Sequence, residues 1–314
     1  MNKIIESTKR VAENAQHVQI HLDRLYKFAD AIEIADTLHW STTAPFDFNT
    51  LTLEERYFLI FLIDSLNFCY WGSPKWSIEV DRKKLGGAFS MVYALTRAVE
   101  QGKLELRAEA LANMSRENFA DILAANVEIP LFEERLEIVY SVGKILQEKF
   151  DRSVSNLVNV ANFDALKLLD LVVDSFPSFR DEGIYKGEKV YFYKRAQLFV
   201  SDVIYLSGKK WKNTEELTAF SDYKLPFVLR RSGIFSYSDK LAEKIDGEVE
   251  LAYGSEKEVE LRAATLWVVE LMKERVKERI PGIKSTQIGD YLWLLGREKT
   301  PEDKPHHHTR TIAY

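Results

Sequence analysis

A chain of 314 residues with 46% hydrophobic and 29% charged residues is composed like a globular protein and is long enough to bury a large core. Its net charge of −5 argues against a protein that coats nucleic-acid backbone, whose affinity comes from many phosphate-neutralising Lys and Arg. The single cysteine, Cys69, excludes an internal disulfide and a cysteine-based zinc site.

The first eighteen residues are polar and helical in character and lack the apolar core of a signal peptide. Thr52-Leu53-Glu54-Glu55 reads as a capping box opening a helix that is apolar nearly all round through Leu66. Its longest apolar run, Tyr57 to Ile63, is too short to cross a bilayer. Trp76 to Val80 alternates like a strand and is expected to pair near Ala88-Phe89. Pro130 precedes a helix whose stripe is Leu131, Phe132, Leu136, Val139, Val142, Leu146 and Phe150.

The polar run Asp151-Arg152-Ser153 marks a soft internal boundary near residues 150–165 of one domain spanning 1–314. Gly183 to Phe192 reads as a hairpin turning at Lys186-Gly187. Leu217 to Gly233 reads as helix, tight turn, helix: Leu217-Thr218-Ala219-Phe220 ends the first, Pro226 opens the second and Gly233 closes it. Ser255-Glu256-Lys257-Glu258 is a second capping box, opening a helix that Pro281-Gly282 ends. The class expected is mainly α, a single compact helical domain with one or two small β-hairpins, in a reduced, cytoplasmic, soluble protein.

Acids set among aromatic residues and fixed cations are the chemical signal, because burying a carboxylate is costly unless something compensates. Asp64 interrupts the apolar helix just before Asn67-Phe68-Cys69-Tyr70-Trp71. It either reads a base edge while rings stack on its face, or ties helix ends in the core. Asp202 follows Lys194 and Arg195 on one helical run. Arg195 lies about two turns before it and shares its face, so a structural ion pair is the alternative to a site. Asp222 stands beside Tyr223 and Lys224, where a helix cap is the alternative. Two such acids suit cleavage of an N-glycosidic bond, which builds positive charge at the ribose C1′ and negative charge on the departing base. His306-His307-His308 lacks the supporting ligands of a metal site and reads as a solvated or docked tail; His307 with Arg310 could reach over a phosphate.

At these residues the chain resembles the queuosine 5′-phosphate N-glycosylase/hydrolase family, the queuosine salvage proteins. The likeness runs through Asp64 to Trp71, Pro130 to Arg135, Ser175 to Asp181, Phe192 to Gln197, Asp202 and Asp222 to Pro226. It continues through Tyr253-Gly254, Glu258 to Arg262, Leu266-Trp267, Asp290-Tyr291-Leu292-Trp293 and Pro305 to Tyr314. The resemblance implies release of queuine from queuosine 5′-monophosphate, leaving ribose 5-phosphate. It also implies a helical fold like that of helix-hairpin-helix DNA glycosylases and no metal or organic cofactor. The partner is then the small-molecule substrate, with no duplex nucleic acid and no membrane, and the protein a monomer.

Carried onto this chain, the likeness makes Asp202 and Asp222 catalytic. It gives Asp64, Phe68, Trp71 and Tyr223 to the base, and Lys194, Arg195, Lys224 and His307 to the phosphate. A non-catalytic binding protein for a modified nucleoside or tRNA is the alternative, with a DNA-repair glycosylase behind it.

Overall fold

Apolar residues at helical spacing dominate the chain, and helices dominate the structure. The computed structural model describes residues 2–35, 38–43, 48–80, 82–298 and 300–314. Among these are fourteen α-helices and three two-stranded antiparallel sheets. One hydrophobic cluster runs from Ile4 to Tyr314.

The helix Leu53–Ser65 lies at the centre, with every residue from Tyr57 to Ser65 buried. Its capping box forms as expected: the Glu55 backbone N–H donates to Thr52 Oγ1, and the Thr52 backbone N–H donates to Glu55 Oε2 at 2.8 Å. The helix Lys194–Ser207 packs along it, and the helix Glu256–Val276 packs on the N-terminal helix Lys3–Glu13. The helix Phe132–Lys149 buries Leu136, Val139, Val142 and Leu146 of the expected stripe.

Three local expectations change. The strand Ser77–Val80 pairs with Lys83–Gly86, not with Ala88-Phe89, because the chain reverses at Arg82 (φ 63°) and Ala88 and Phe89 already open the helix Ala88–Glu100. Leu217 to Phe220 is not helical. The Thr218 backbone N–H donates to Gln197 Oε1 at 2.8 Å and holds this stretch against the helix Lys194–Ser207. Only the second half of the expected helical pair forms, as Lys224–Arg231, with Pro226 at its third position. Gly233 (φ 69°) closes it, the Gly233 and Ile234 N–H groups donating to the Arg230 and Leu229 carbonyls. The Ser255 box is not made: Glu258 takes the Gly254 N–H instead and turns toward Arg262, and the helix ends at Val276, before Pro281. The hairpin Glu182–Tyr185 with Glu188–Tyr191 turns at Lys186-Gly187 as read. A third pair, Val18–Ile20 with Phe235–Tyr237, joins distant segments that no local signal marks.

Gly143 lets the helix Ala108–Ala112 lie directly on the helix Phe132–Lys149. A Cβ there would stand 2.4 Å from the Ala112 backbone nitrogen and 2.7 Å from the Ala108 carbonyl oxygen. Backbone cannot yield as a side-chain tip can, so Gly143→Ala is expected to destabilise the fold by about 1–3 kcal/mol, read as a lower urea midpoint at unchanged slope.

Candidate functional site

The central helix, the turn after it, the helix Lys194–Ser207, the stretch Phe220 to Asp222 and the helix Ser285–Leu295 surround one cavity. It encloses about 480 Å³ of empty space, its mouth included. Apolar walls come from Trp40, Ile63, Val92, Leu198, Phe220, Leu225 and Trp293, and the polar groups are Asn67, Lys194, Asp222 and Asp290. Gly289 admits the close approach of one wall to another: a Cβ there would meet Ala219 Cβ at 3.0 Å. This is the lining of a small-ligand site, apolar with a few placed polar groups.

Asp222 opens the helix Lys224–Arg231, its Oδ1 accepting from the Lys224 N–H at 2.7 Å and the Leu225 N–H at 3.4 Å. Both bonds fall on one oxygen of a carboxyl that lines the cavity. Burial pushes the Asp222 carboxyl above its ordinary range, while Lys194 and the helix N–H groups pull the other way. The Lys194 Nζ donates to the Asn67 carbonyl at 3.1 Å. Burial lowers its pKa to about 8, with Asp222 and Asp64 opposing that fall.

Asp202 lies behind this wall, fully buried. Its carboxylate accepts from Trp40 Nε1 at 2.9 and 3.1 Å and faces His39 Nε2 at 3.1 Å. Asp64 is equally buried and no N–H or hydroxyl donor reaches either of its oxygens. Burial and the neighbouring Asp202 raise its pKa well above the usual range, and the two acids share a hydrogen bond. Asp64 is therefore the protonated member and donates to Asp202. Asp290 completes the group. Burial first, then Asp202, hold it up to about 7, against His39 and the Trp40 backbone N–H.

The cavity opens past Asn67, Ala88, Asp222 and Trp293 into a wider groove lined by Lys75, Lys84, Lys224, Arg297, Trp71, Tyr223, His306 and His308. The chain's last residues form one of its walls. His306 stacks on Tyr223 at 4.4 Å and His308 on Trp71 at 4.5 Å. Burial holds His306 well below its usual pKa, and takes His307 to about 3.

The residues chosen from sequence thus separate. Lys194 and Asp222 meet in the cavity, and Trp71, Tyr223 and Lys224 line the groove. Asp64 and Asp202 sit together behind Trp40. Arg195 does not pair with Asp202, since its guanidinium donates to the Ser65 and Ser178 carbonyls. Phe68 is packed against the Arg135 and Arg195 guanidiniums, at 4.0 and 5.1 Å. His307 is buried against Tyr314 Oη at 3.2 Å. Sequence reasoning passed over Trp40, His39, Lys84 and Arg297, and named Asp290 and Trp293 only within the family likeness, without a role in the site. Asp290 was findable, since an acid inside an apolar helical run is the signal that drew attention to Asp64.

Fold and site together define a helical protein with a ring-walled cavity that holds two carboxyls and an ammonium. The profile described as queuosine salvage protein matches residues 50–314, and the chain belongs to that family. A Sphaerobacter thermophilus protein named queuosine 5′-phosphate N-glycosylase/hydrolase is 36% identical, the match covering 99% of this chain and 97% of that protein. Proteins of the same name from Mus musculus, 34% identical over 98% of both chains, and Bos taurus, 38% identical over 81% of this chain and 80% of that one, are also similar.

The buried acid pair makes a testable statement. Asp64→Asn keeps a donor toward Asp202, whereas Asp202→Ala strands Trp40 Nε1 and the Asp64 proton. The first is expected to cost under about 1 kcal/mol near pH 5 and the second about 2–4 kcal/mol by urea denaturation. Asp64 binds its proton more tightly folded than unfolded, so its contribution is fully present at or below the unfolded value near 3.8 and is lost as pH rises toward the folded value. Asp64→Asn should flatten that fall.

Proposed function

We propose that this chain hydrolyses the N-glycosidic bond of queuosine 5′-monophosphate, releasing queuine, a 7-deazaguanine, and ribose 5-phosphate. The observation that carries the reading is Asp222 at the neck between an aromatic-walled cavity, which also holds Lys194, and a cation-lined groove. It stands in a chain that aligns nearly end to end with a relative of that name. The base occupies the cavity, C1′ lies at Asp222, and the 5′-phosphate points into the groove toward Lys84 and Arg297.

The C1′–N bond breaks with its electron pair on the base, which gains a proton. Water adds to C1′ and gives up a proton to a carboxylate, and that proton replaces, on balance, the one the base has gained. Asp222 steadies the cationic sugar or takes that proton. Lys194 favours the ionised form of Asp222 against its burial, in a dry site where preorganised charge acts most strongly. Asp202 works at one remove, holding the Trp40 ring that walls the base. The substrate is a mononucleotide rather than duplex nucleic acid, and the protein a cytoplasmic monomer that needs no cofactor; a net charge of −5 fits that choice.

Two measurements test this. Asn caps a helix about as well as Asp, so Asp222→Asn should fold normally yet lose about 10²- to 10⁴-fold in kcat, followed by mass spectrometry of free base. Full release of queuine by that variant, or none by the wild type, would sink the assignment. Lys84→Ala with Arg297→Ala should raise KM for the 5′-monophosphate several-fold more than for the nucleoside. An equal effect on both would place the phosphate elsewhere.

A further inference from the structure

Among the described residues, Arg262 does not line the cavity, yet it grips the supports of both groups at work in the reaction above. It stands on the helix Glu256–Val276 and is fully buried. Its guanidinium makes a two-pronged pair with Asp181, Nη1 to Oδ1 at 2.7 Å and Nη2 to Oδ2. Asp181 in turn holds the start of the helix Lys194–Ser207. Its backbone carbonyl accepts from the Phe192 and Tyr193 N–H groups at 3.0 and 3.1 Å, and its Oδ2 from the Lys194 N–H at 3.2 Å. Tyr193, at the N-cap of that helix, makes no side-chain cap bond, so Asp181 supplies an acceptor that a helix start needs. The same guanidinium reaches the segment that carries Asp222. Arg262 Nε donates to the Ser221 carbonyl at 3.3 Å, and Ser221 Oγ donates to the Arg262 carbonyl at 3.2 Å. The Phe192 and Tyr314 rings lie 4.0 and 4.2 Å from the guanidinium carbon, and Asp181 and Ser221 are buried with it.

We propose that Arg262 is a positioning residue for the hydrolysis: by holding Asp181 and Ser221 at once, it sets how the Lys194 ammonium and the Asp222 carboxyl stand relative to each other. It touches no substrate and acts through the two backbones. The inference rests on the reading of Asp222 and Lys194 as the working groups, and goes beyond it by naming what fixes their geometry. Apolar side chains of similar volume often stabilise a core as well as a buried ion pair does, but they cannot hold two backbone segments at hydrogen-bond length and angle. That precision matters to rate, since a misplacement of about 1 Å costs on the order of 100-fold.

Arg262→Lys separates charge from geometry. It keeps a cation for Asp181 and Glu258 and loses the planar fork that spans Asp181 and Ser221. Ser221→Ala is the milder second variant and removes one bond of the junction. Turnover of the nucleotide is measured per folded molecule. The kcat should fall about 10- to 100-fold in Arg262→Lys and about two- to fivefold in Ser221→Ala, with KM within about threefold of the wild type. A second readout does not depend on turnover: NMR of isotope-labelled lysine follows the Lys194 ammonium, assigned by its loss in Lys194→Met. Burial and Arg195 lower the Lys194 pKa, to about 8, and Asp222, Asp64 and Asp181 oppose that fall; Asp222 itself answers to burial, Lys194 and Lys224. Loosening the two segments weakens the opposition, so the Lys194 pKa should drop by about half a unit or more in Arg262→Lys. Lower stability alone, with an unmoved Lys194 titration or an unchanged kcat, is what a purely structural ion pair gives and overturns the proposal. If Arg262→Lys does not fold, wild-type values of both readouts in Ser221→Ala overturn it. A wild type that releases no base, with the Lys194 shift present in Arg262→Lys, refutes the proposed reaction and leaves Arg262 as the residue that sets this geometry.

Discussion

A buried lysine lets acids from separate elements stand around one dry space. Lys194 is drawn on by Asp222, at a helix start, and stands near the protonated Asp64, close to the end of the central helix. Each acid alone would be driven to its neutral form by burial, and the ammonium would be driven the same way. Together Asp222 and the lysine reach a compromise in which burial lowers the lysine pKa only to about 8. The charge is retained where a sugar cation would have to form beside it. The Asn67 carbonyl that receives the Lys194 Nζ fixes where that charge sits.

That carbonyl is available because two arginines take its neighbours. A helix ends with carbonyls that need donors. Arg195 serves Ser65 O, and Arg135 serves Leu66 O, Phe68 O and, at 3.1 Å, Cys69 O. Both guanidiniums also face the Phe68 ring, so the aromatic turn after the central helix is held by two cations. Arg195 adjoins Lys194 in sequence yet performs a different task. Successive residues at a helix start point about 100° apart, and here one points to the cavity and the next into the core.

How much of this was legible follows from the range of each interaction. Helix content, the Thr52 cap and the Lys186-Gly187 turn are set within a few residues, and reading them needs nothing else. The stretch Leu217 to Phe220 looked helical because its composition is, but Thr218 is bonded to Gln197, twenty-one residues away, and a long-range bond prevailed over a weak local preference. The acids were visible as acids in apolar surroundings. Which face they turn to is decided by partners such as Trp40 and His39, more than 160 residues from Asp202, and no spacing rule reports that. The tail histidines show the same limit. His307 drew attention beside Arg310, yet its ring is packed on Tyr314 while His306 and His308 face the groove.

The contrast between groove and cavity has an energetic logic. Lys84 and Arg297 are exposed, and exposed charges grip weakly because water and salt compete. Binding that is equal in ground state and transition state does not speed a chemical step. A modest hold on the phosphate therefore suits orientation, and lets ribose 5-phosphate leave once the bond is broken. The interaction that should strengthen during reaction lies inside, where Asp222 and Lys194 are already desolvated and need not reorganise when charge develops on the sugar. The neutral rings of His306 and His307 fit the same division: the tail shapes the mouth by stacking on Tyr223 and packing on Tyr314, without adding fixed charge that would hold the product.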